Sequence, residues 1–246
     1  IALAEAIKNN RALVKLTFGG DTYADASTKW KSVTPEPAML ELGMTEADLS
    51  KKNLGVGGAI IVSAWISHKD NGALTSLDIS ANSIGQLKLP DGWTEADELD
   101  QMMGGSKRYQ HHDGRQQDEA PEGSKAEGAI ALADAIKNSG ALEKLNINSN
   151  KIGTQEAGKA LAEALANNST LKELDVSKNY ENYEGAGYGF DGADGAGFAK
   201  ELATVIGANG ALTSLNLSSN NIDAEGAKHI AEAVKVHVSV LRFVRH

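Results

Sequence analysis

Apolar residues recur along this chain with two different periods, and the two periods take turns. Residues 73–79, ALTSLDI, place Leu77 and Ile79 two apart with polar neighbours between them, the alternation of a short strand with one buried face. Residues 127–142, EGAIALADAIKNSGAL, place Ala129, Leu132, Ala133 and Ile136 at i, i+3, i+4 and i+7, one face of an amphipathic helix. The strand phrase is written again at 211–223, where ALTSLNLSSNNID echoes the ALTSLDISANSIG of 73–85. The helix phrase returns without a gap as EAGKALAEALANNSTL at 156–171.

The recurring unit is L-x-x-L-x-L-x-x-N-x-L. It fits Leu74, Leu77, Ile79, Asn82 and Ile84; Leu142, Leu145, Ile147, Asn150 and Ile152; and Leu212, Leu215, Leu217, Asn220 and Ile222. Leu171, Leu174, Val176 and Asn179 make a fourth copy. Weaker copies start at Leu13, with Asp21 at the Asn position, and at Met44, with Lys52 there; a degenerate one starts near Val238. First positions are separated by 31, 30, 68, 29, 41 and 26 residues, so the array has about seven repeats and two insertions. Strands are expected near 14–18, 45–49, 75–79, 143–147, 172–176, 213–217 and 239–243, all in one parallel sheet. Helices are expected over 1–13, 58–68, 127–142, 156–171, 198–206 and 227–234.

Three segments leave the pattern. Residues 86–124 form a polar insertion, 180–193 a Gly/Tyr-rich insertion, and 19–43 a crossover in which Pro35 and Pro37 forbid a helix interior. An irregular or hairpin-like path is expected there. The whole chain, 1–246, reads as a single α/β domain in which each repeat stacks on its neighbours. Helices are wider than the spacing between strands, so the stack is expected to curve, with strands on the concave side and helices on the convex side. Asn82, Asn150, Asn179 and Asn220 each hold both a donor and an acceptor, suited to satisfying backbone groups where the chain leaves a strand.

The four clean copies and their intervening helices resemble the leucine-rich repeat proteins, in the ribonuclease-inhibitor-like class of about 28-residue β-α units. That resemblance covers the chain outside 19–43, 86–124 and 180–193. It implies a horseshoe solenoid that serves as a binding scaffold without a shared catalytic centre. The family includes GTPase-activating members, which keeps an enzyme-regulating role as an alternative. A peripheral structural subunit of a membrane-associated complex is another.

Charge narrows the partner. A net charge of −9 argues against nucleic acid, whose phosphates need a basic stripe, and favours a protein partner, a basic surface being one candidate. The longest apolar run, Ala59–Val62, is too short for membrane insertion. With no cysteine and no visible signal a cytoplasmic setting is favoured, although the chain opens at Ile1 without Met and a preceding segment stays open.

No nucleophile elbow, P-loop or dinucleotide fingerprint occurs, so no catalytic residue, cofactor or metal is expected. His111 and His112, beside Asp113, lack a third ligand at metal spacing and read as solvated loop residues. DGADG at 191–195 lacks the spacing and closing Glu of a calcium loop. His68 and His229 are expected to face solvent from the convex helices. Trp65 stands where sister helices have Ala6, Ala135 and Ala164, and is expected to fill space beside the crossover.

Two surfaces remain as protein-binding candidates. One is the outward column of the sheet, with Asp48, Asp78 and Asp175 among small polar residues. The other is the insertions, which hold Trp93, Met102, Met103, Tyr109, Tyr180, Tyr183 and Tyr188; aromatic anchors of this kind dominate interfaces. Neither end of the array reads as a polar cap, so a larger complex covering one or both open ends is expected.

Overall fold

The computed structural model describes residues 2–20, 23–25, 31–68, 70–85, 91–95, 109–113, 115–117, 126–180 and 194–235. Twelve strands occur among them: β1 Lys15–Phe18, β2 Tyr23–Asp25, β3 Lys31–Val33, β4 Ala38–Glu41, β5 Glu46–Asp48, β6 Ser76–Asp78, β7 Trp93–Glu95, β8 Tyr109–His111, β9 Gln116–Gln117, β10 Lys144–Asn146, β11 Glu173–Asp175 and β12 Ser214–Asn216. Six helices accompany them: α1 Ala2–Asn9, α2 Gly55–Ile66, α3 Glu127–Asn138, α4 Gln155–Asn167, α5 Gly195–Ile206 and α6 Ala224–Lys235.

The core of the molecule is a five-stranded parallel sheet in the order β12-β11-β10-β6-β5. Equivalent residues stand side by side: Ala47, Leu77, Leu145, Leu174 and Leu215 form one row, and Asp48, Asp78, Asn146, Asp175 and Asn216 form the next. The first row is buried with Ile79, Ile147 and Val176 beneath the helices, while the second faces outward, as the period of two requires. Successive helices pack in sequence order from α1 to α6. Thr154 caps α4 by accepting the Ala157 N–H at 3.1 Å, and Asp194 caps α5 by accepting the Gly197 N–H at 2.7 Å.

Among the described residues the sheet has five strands, where six of the seven expected ones fall. β1 does not join it: it pairs antiparallel with β4, Leu16 opposite Leu40 and Phe18 opposite Ala38. The cause lies in the prolines. With Pro35 and Pro37 blocking a helix, the first repeat has no helix to cover its strand, and β4 supplies the missing apolar face through the fully buried Ala38 and Leu40. Gly19 and Gly20, at φ +74° and +84°, turn the chain out of the repeat path directly after Phe18. β2 and β3 pair antiparallel within the same excursion. The seventh expected strand, 239–243, lies outside the described residues.

Candidate functional site

The outward face is built by turns of unusual backbone. At each exit from the sheet, non-glycine residues adopt left-handed conformations: Lys51 and Asn53, Ala81 and Ser83, Ser149 and Lys151, Lys178, and Ser219 and Asn221, all at φ between +50° and +60°. Each costs on the order of 1–2 kcal/mol in an L-residue. The asparagine beside them offsets that cost. Asn150 accepts the Asn82 N–H at 2.8 Å through its side-chain oxygen and donates from Nδ2 to the Ile79 carbonyl at 2.9 Å. Asn179 accepts from Asn150 N–H at 2.7 Å and donates to the Ile147 and Val176 carbonyls, and Asn220 accepts from Asn179 N–H at 2.8 Å. Asn82 does the same for the turn that carries Lys52, accepting the Lys52 N–H at 2.9 Å. All four asparagines are buried.

A second ladder runs along the helix exits, at N-x-x-L. Asn209 donates to the Asn168 carbonyl at 3.1 Å, and Asn168 donates to the Ser139 carbonyl at 3.1 Å; each also accepts the N–H of the leucine three residues on. The sequence carries this signal as Asn10, Asn71, Ser139, Asn168 and Asn209, each three residues before a repeat's first leucine and outside the apolar periods. Clefts lie between neighbouring helix exits, about 380 Å³ at Ser139 and about 450 Å³ at Asn168 and Asn209.

His68 completes that ladder and does not face solvent. It is 2% exposed, with Nε2 2.6 Å from the Asn10 carbonyl oxygen. The Asp70 N–H donates to Nδ1 at 3.2 Å, which fixes the proton on Nε2. The ring stacks on the buried Trp65, centroids 5.9 Å apart. The two-residue-longer turn after α2 brings this imidazole to the place where other repeats use an asparagine amide. His229 is half-buried, 3.9 Å from Glu225.

On the sheet face the acidic column is hydrogen-bonded in place. Asp78 accepts the Ser80 N–H at 2.9 Å and the Asn146 amide at 2.8 Å; Asp175 accepts the Ser177 N–H at 2.9 Å and the Asn216 amide at 2.9 Å. Asp48 accepts the Ser50 N–H at 2.9 Å, and its neighbour in the column is Asp78 rather than an asparagine. Hydrogen bonds from the Ser50 side chain and backbone hold the Asp48 carboxyl below the usual carboxylate range, with Lys52 and Lys51 adding to the effect. Two ion pairs cross the face, Lys144–Glu173 at 3.1 Å and Lys172–Glu143 at 2.8 Å. Asp48 is exposed; Asp78 and Asp175 are half-buried.

The insertion residues are distributed differently. Trp93 and Tyr109 lie on β7 and β8, in a three-stranded antiparallel sheet with β9. Trp93 stands opposite His111, and Tyr109 opposite Glu95 and Gln117. Tyr180 is half-buried. Met102, Met103, Tyr183 and Tyr188 lie outside the described residues. In the turn after β8, His111 Nδ1 is 2.7 Å from Asp113 Oδ1, and Arg115 Nε donates to Asp113 Oδ2 at 2.9 Å. Hydrogen bonding from the Arg115 backbone N–H leads in lowering the Asp113 carboxyl to about 2. Among the described residues no group of three or more His, Asp or Glu side chains is placed to hold a metal, and no helix is long and apolar enough to cross a membrane.

A family model described as Leucine Rich repeat matches residues 208–231, which run from the turn after α5 through β12 and the Asn220 turn into α6. The five in-register β-α units and their asparagine rungs repeat, from β5 to α6, the pattern that this model matches as a leucine-rich repeat. No curated protein matches it. Among solved structures it is similar to Leiomodin-1 Actin-Binding Site 2, at 18% identity over 78% of this chain and 80% of that one, with a TM-score of 0.45. It is also similar to the tropomodulin C-terminal domain of Caenorhabditis elegans, at 14% identity over 78% and 83%, with a TM-score of 0.42.

Proposed function

We propose that the chain is a non-enzymatic protein-binding scaffold within a larger assembly. The observation that carries this reading is the outward sheet face, whose carboxylates are fixed before any partner arrives. Asp48 and Asp78 stand side by side with Glu46 two residues before Asp48 on the same face, and each aspartate is oriented by a backbone N–H. Pre-ordered side chains lose little entropy on binding, and acidic ones steer a basic segment. The segment recognised is therefore an extended or loop element rich in Lys and Arg.

The insertion 86–124, with Trp93, Met102, Met103 and Tyr109, supplies a second, aromatic docking element, and 180–193, with Tyr180, Tyr183 and Tyr188, a third. Aromatic side chains absent from the sheet face are concentrated there. The test is capture from native extract with three chains compared: unaltered, Asp48→Asn with Asp78→Asn, and a variant with 87–123 replaced by a Gly/Ser linker. A partner lost by both altered chains supports the two-element reading. Partners captured equally by all three would contradict it.

A further inference from the structure

The residues Asn-Gly-Ala-Leu occur twice, at 71–74 and 209–212, each time after a helix and leading into a strand of the parallel sheet. These are the two places in the chain where glycine follows asparagine. A glycine there leaves its backbone nitrogen unhindered, and neither Gly72 nor Gly210 has an atom within 4 Å of where a Cβ would stand. The local chemistry is the same at both sites. The tertiary setting is not.

Asn209 is 7% exposed and held at both ends of its amide. Its Nδ2 donates to the Leu165 and Asn168 carbonyls at 2.7 and 3.1 Å, and its Oδ1 accepts the Ala211 and Leu212 N–H groups at 2.9 and 2.8 Å. Asn168 and Asn10 likewise accept the N–H groups two and three residues on. Asn71 is half-buried, and its amide has one hydrogen bond among the described residues, from Nδ2 to the Trp65 carbonyl at 3.0 Å. The longer turn after α2 is the reason. The His68 imidazole reaches the Asn10 carbonyl in the asparagine's stead and leaves Asn71 out of the ladder.

We infer that Asn71 is a site of spontaneous covalent modification, converting to aspartate and isoaspartate, and that the fold protects Asn209 from the same reaction. The Gly72 backbone nitrogen attacks Asn71 Cγ, the Cγ–Nδ2 bond breaks, and Nδ2 leaves as ammonia with the proton that the Gly72 nitrogen gives up. The cyclic imide then takes up water at either of its carbonyls, opening to aspartate or to isoaspartate. Turning the side chain towards the Gly72 nitrogen costs Asn71 one hydrogen bond and Asn209 four. The product sets a carboxylate where an amide N–H met the Trp65 carbonyl, and so marks the α2 exit with a new negative charge.

The test holds the full chain folded at mildly alkaline pH and follows amide-to-acid conversion at each asparagine by peptide mass mapping. The expected result is conversion at Asn71 at least about tenfold faster than at Asn209, since a group held in the fold reacts only from its opened form. In denaturing urea the two rates should converge, because the local sequence is the same. Gly72→Ala, whose added Cβ meets nothing within 4 Å, should slow the reaction at Asn71 and leave Asn209 unchanged. No conversion at Asn71, equal rates at the two sites in the folded chain, or a difference that survives in urea overturns the inference. So does a rate at Asn71 that Gly72→Ala does not alter.

Discussion

The side-chain oxygen of Asn150 accepts the backbone N–H of Asn82 at 2.8 Å, across a separation of 68 residues. β6 and β10 pair in the same place, Leu77 beside Leu145. The repeats on either side of the long insertion are therefore immediate neighbours, joined by the same rung that joins Asn150 to Asn179 only 29 residues on.

That rung sets the first prediction. Asn150→Ala orphans the buried Asn82 N–H and leaves the Ile79 carbonyl with the Asn82 amide alone, and should destabilise by about 1–3 kcal/mol in urea unfolding. Asn146→Ala removes a half-exposed amide that serves only Asp78 and Asn148, and should cost below about 1 kcal/mol. Equal losses would mean that the inner ladder carries no special weight.

The second prediction concerns His68. His68→Ala leaves the Asn10 carbonyl and the Asp70 N–H without their partner and opens a void against Trp65, costing about 2–4 kcal/mol. His68→Gln restores a donor and an acceptor and should recover much of it. Hydrogen exchange in α1 is the readout: protection should fall in the alanine variant and return in the glutamine variant.

The third follows from Asp48. Its carboxyl is lowered in the folded chain, so its contribution is present above the ordinary carboxylate value of about 3.9 and is lost as pH falls through the lowered one. Ser50→Ala removes the leading cause. The Asp48 titration midpoint, followed by NMR, should rise towards the ordinary value in that variant; an unmoved midpoint would assign the lowering to the Ser50 backbone N–H, which alanine keeps, with Lys52 and Lys51 behind it.

Much of this architecture was legible because the repeat writes its rules in single letters. Leucine at alternating positions fixed which side of each strand is buried, and the asparagine that closes the turn marked four of the five parallel strands. β1 escaped because its letters allow two partners. Leu16 and Phe18 suit a parallel neighbour at β5 as well as an antiparallel one at β4, and the choice depends on whether a helix can follow, which Pro35 and Pro37 decide. His68 escaped because helical periodicity ends at Ile66, and the turn beyond it is two residues longer than in sister repeats. The left-handed turns at Ala81, Ser83 and Ser149 carry no glycine to announce them. Among the binding candidates, the aspartates of the sheet face were placed by alternation alone. The aromatic residues of the insertions have no period, so sequence could name them without positioning them.

The repeat array is expected to fold without the insertion 86–124. β7, β8 and β9 pair with one another and with no strand of the parallel sheet. The most direct measurement is the urea midpoint of a chain in which 87–123 is replaced by a short Gly/Ser linker. Loop-length changes cost little entropy, so the transition should stay cooperative and the stability should move by no more than about 1 kcal/mol. A chain that loses its cooperative transition would show that the insertion is part of the core and contradict the account.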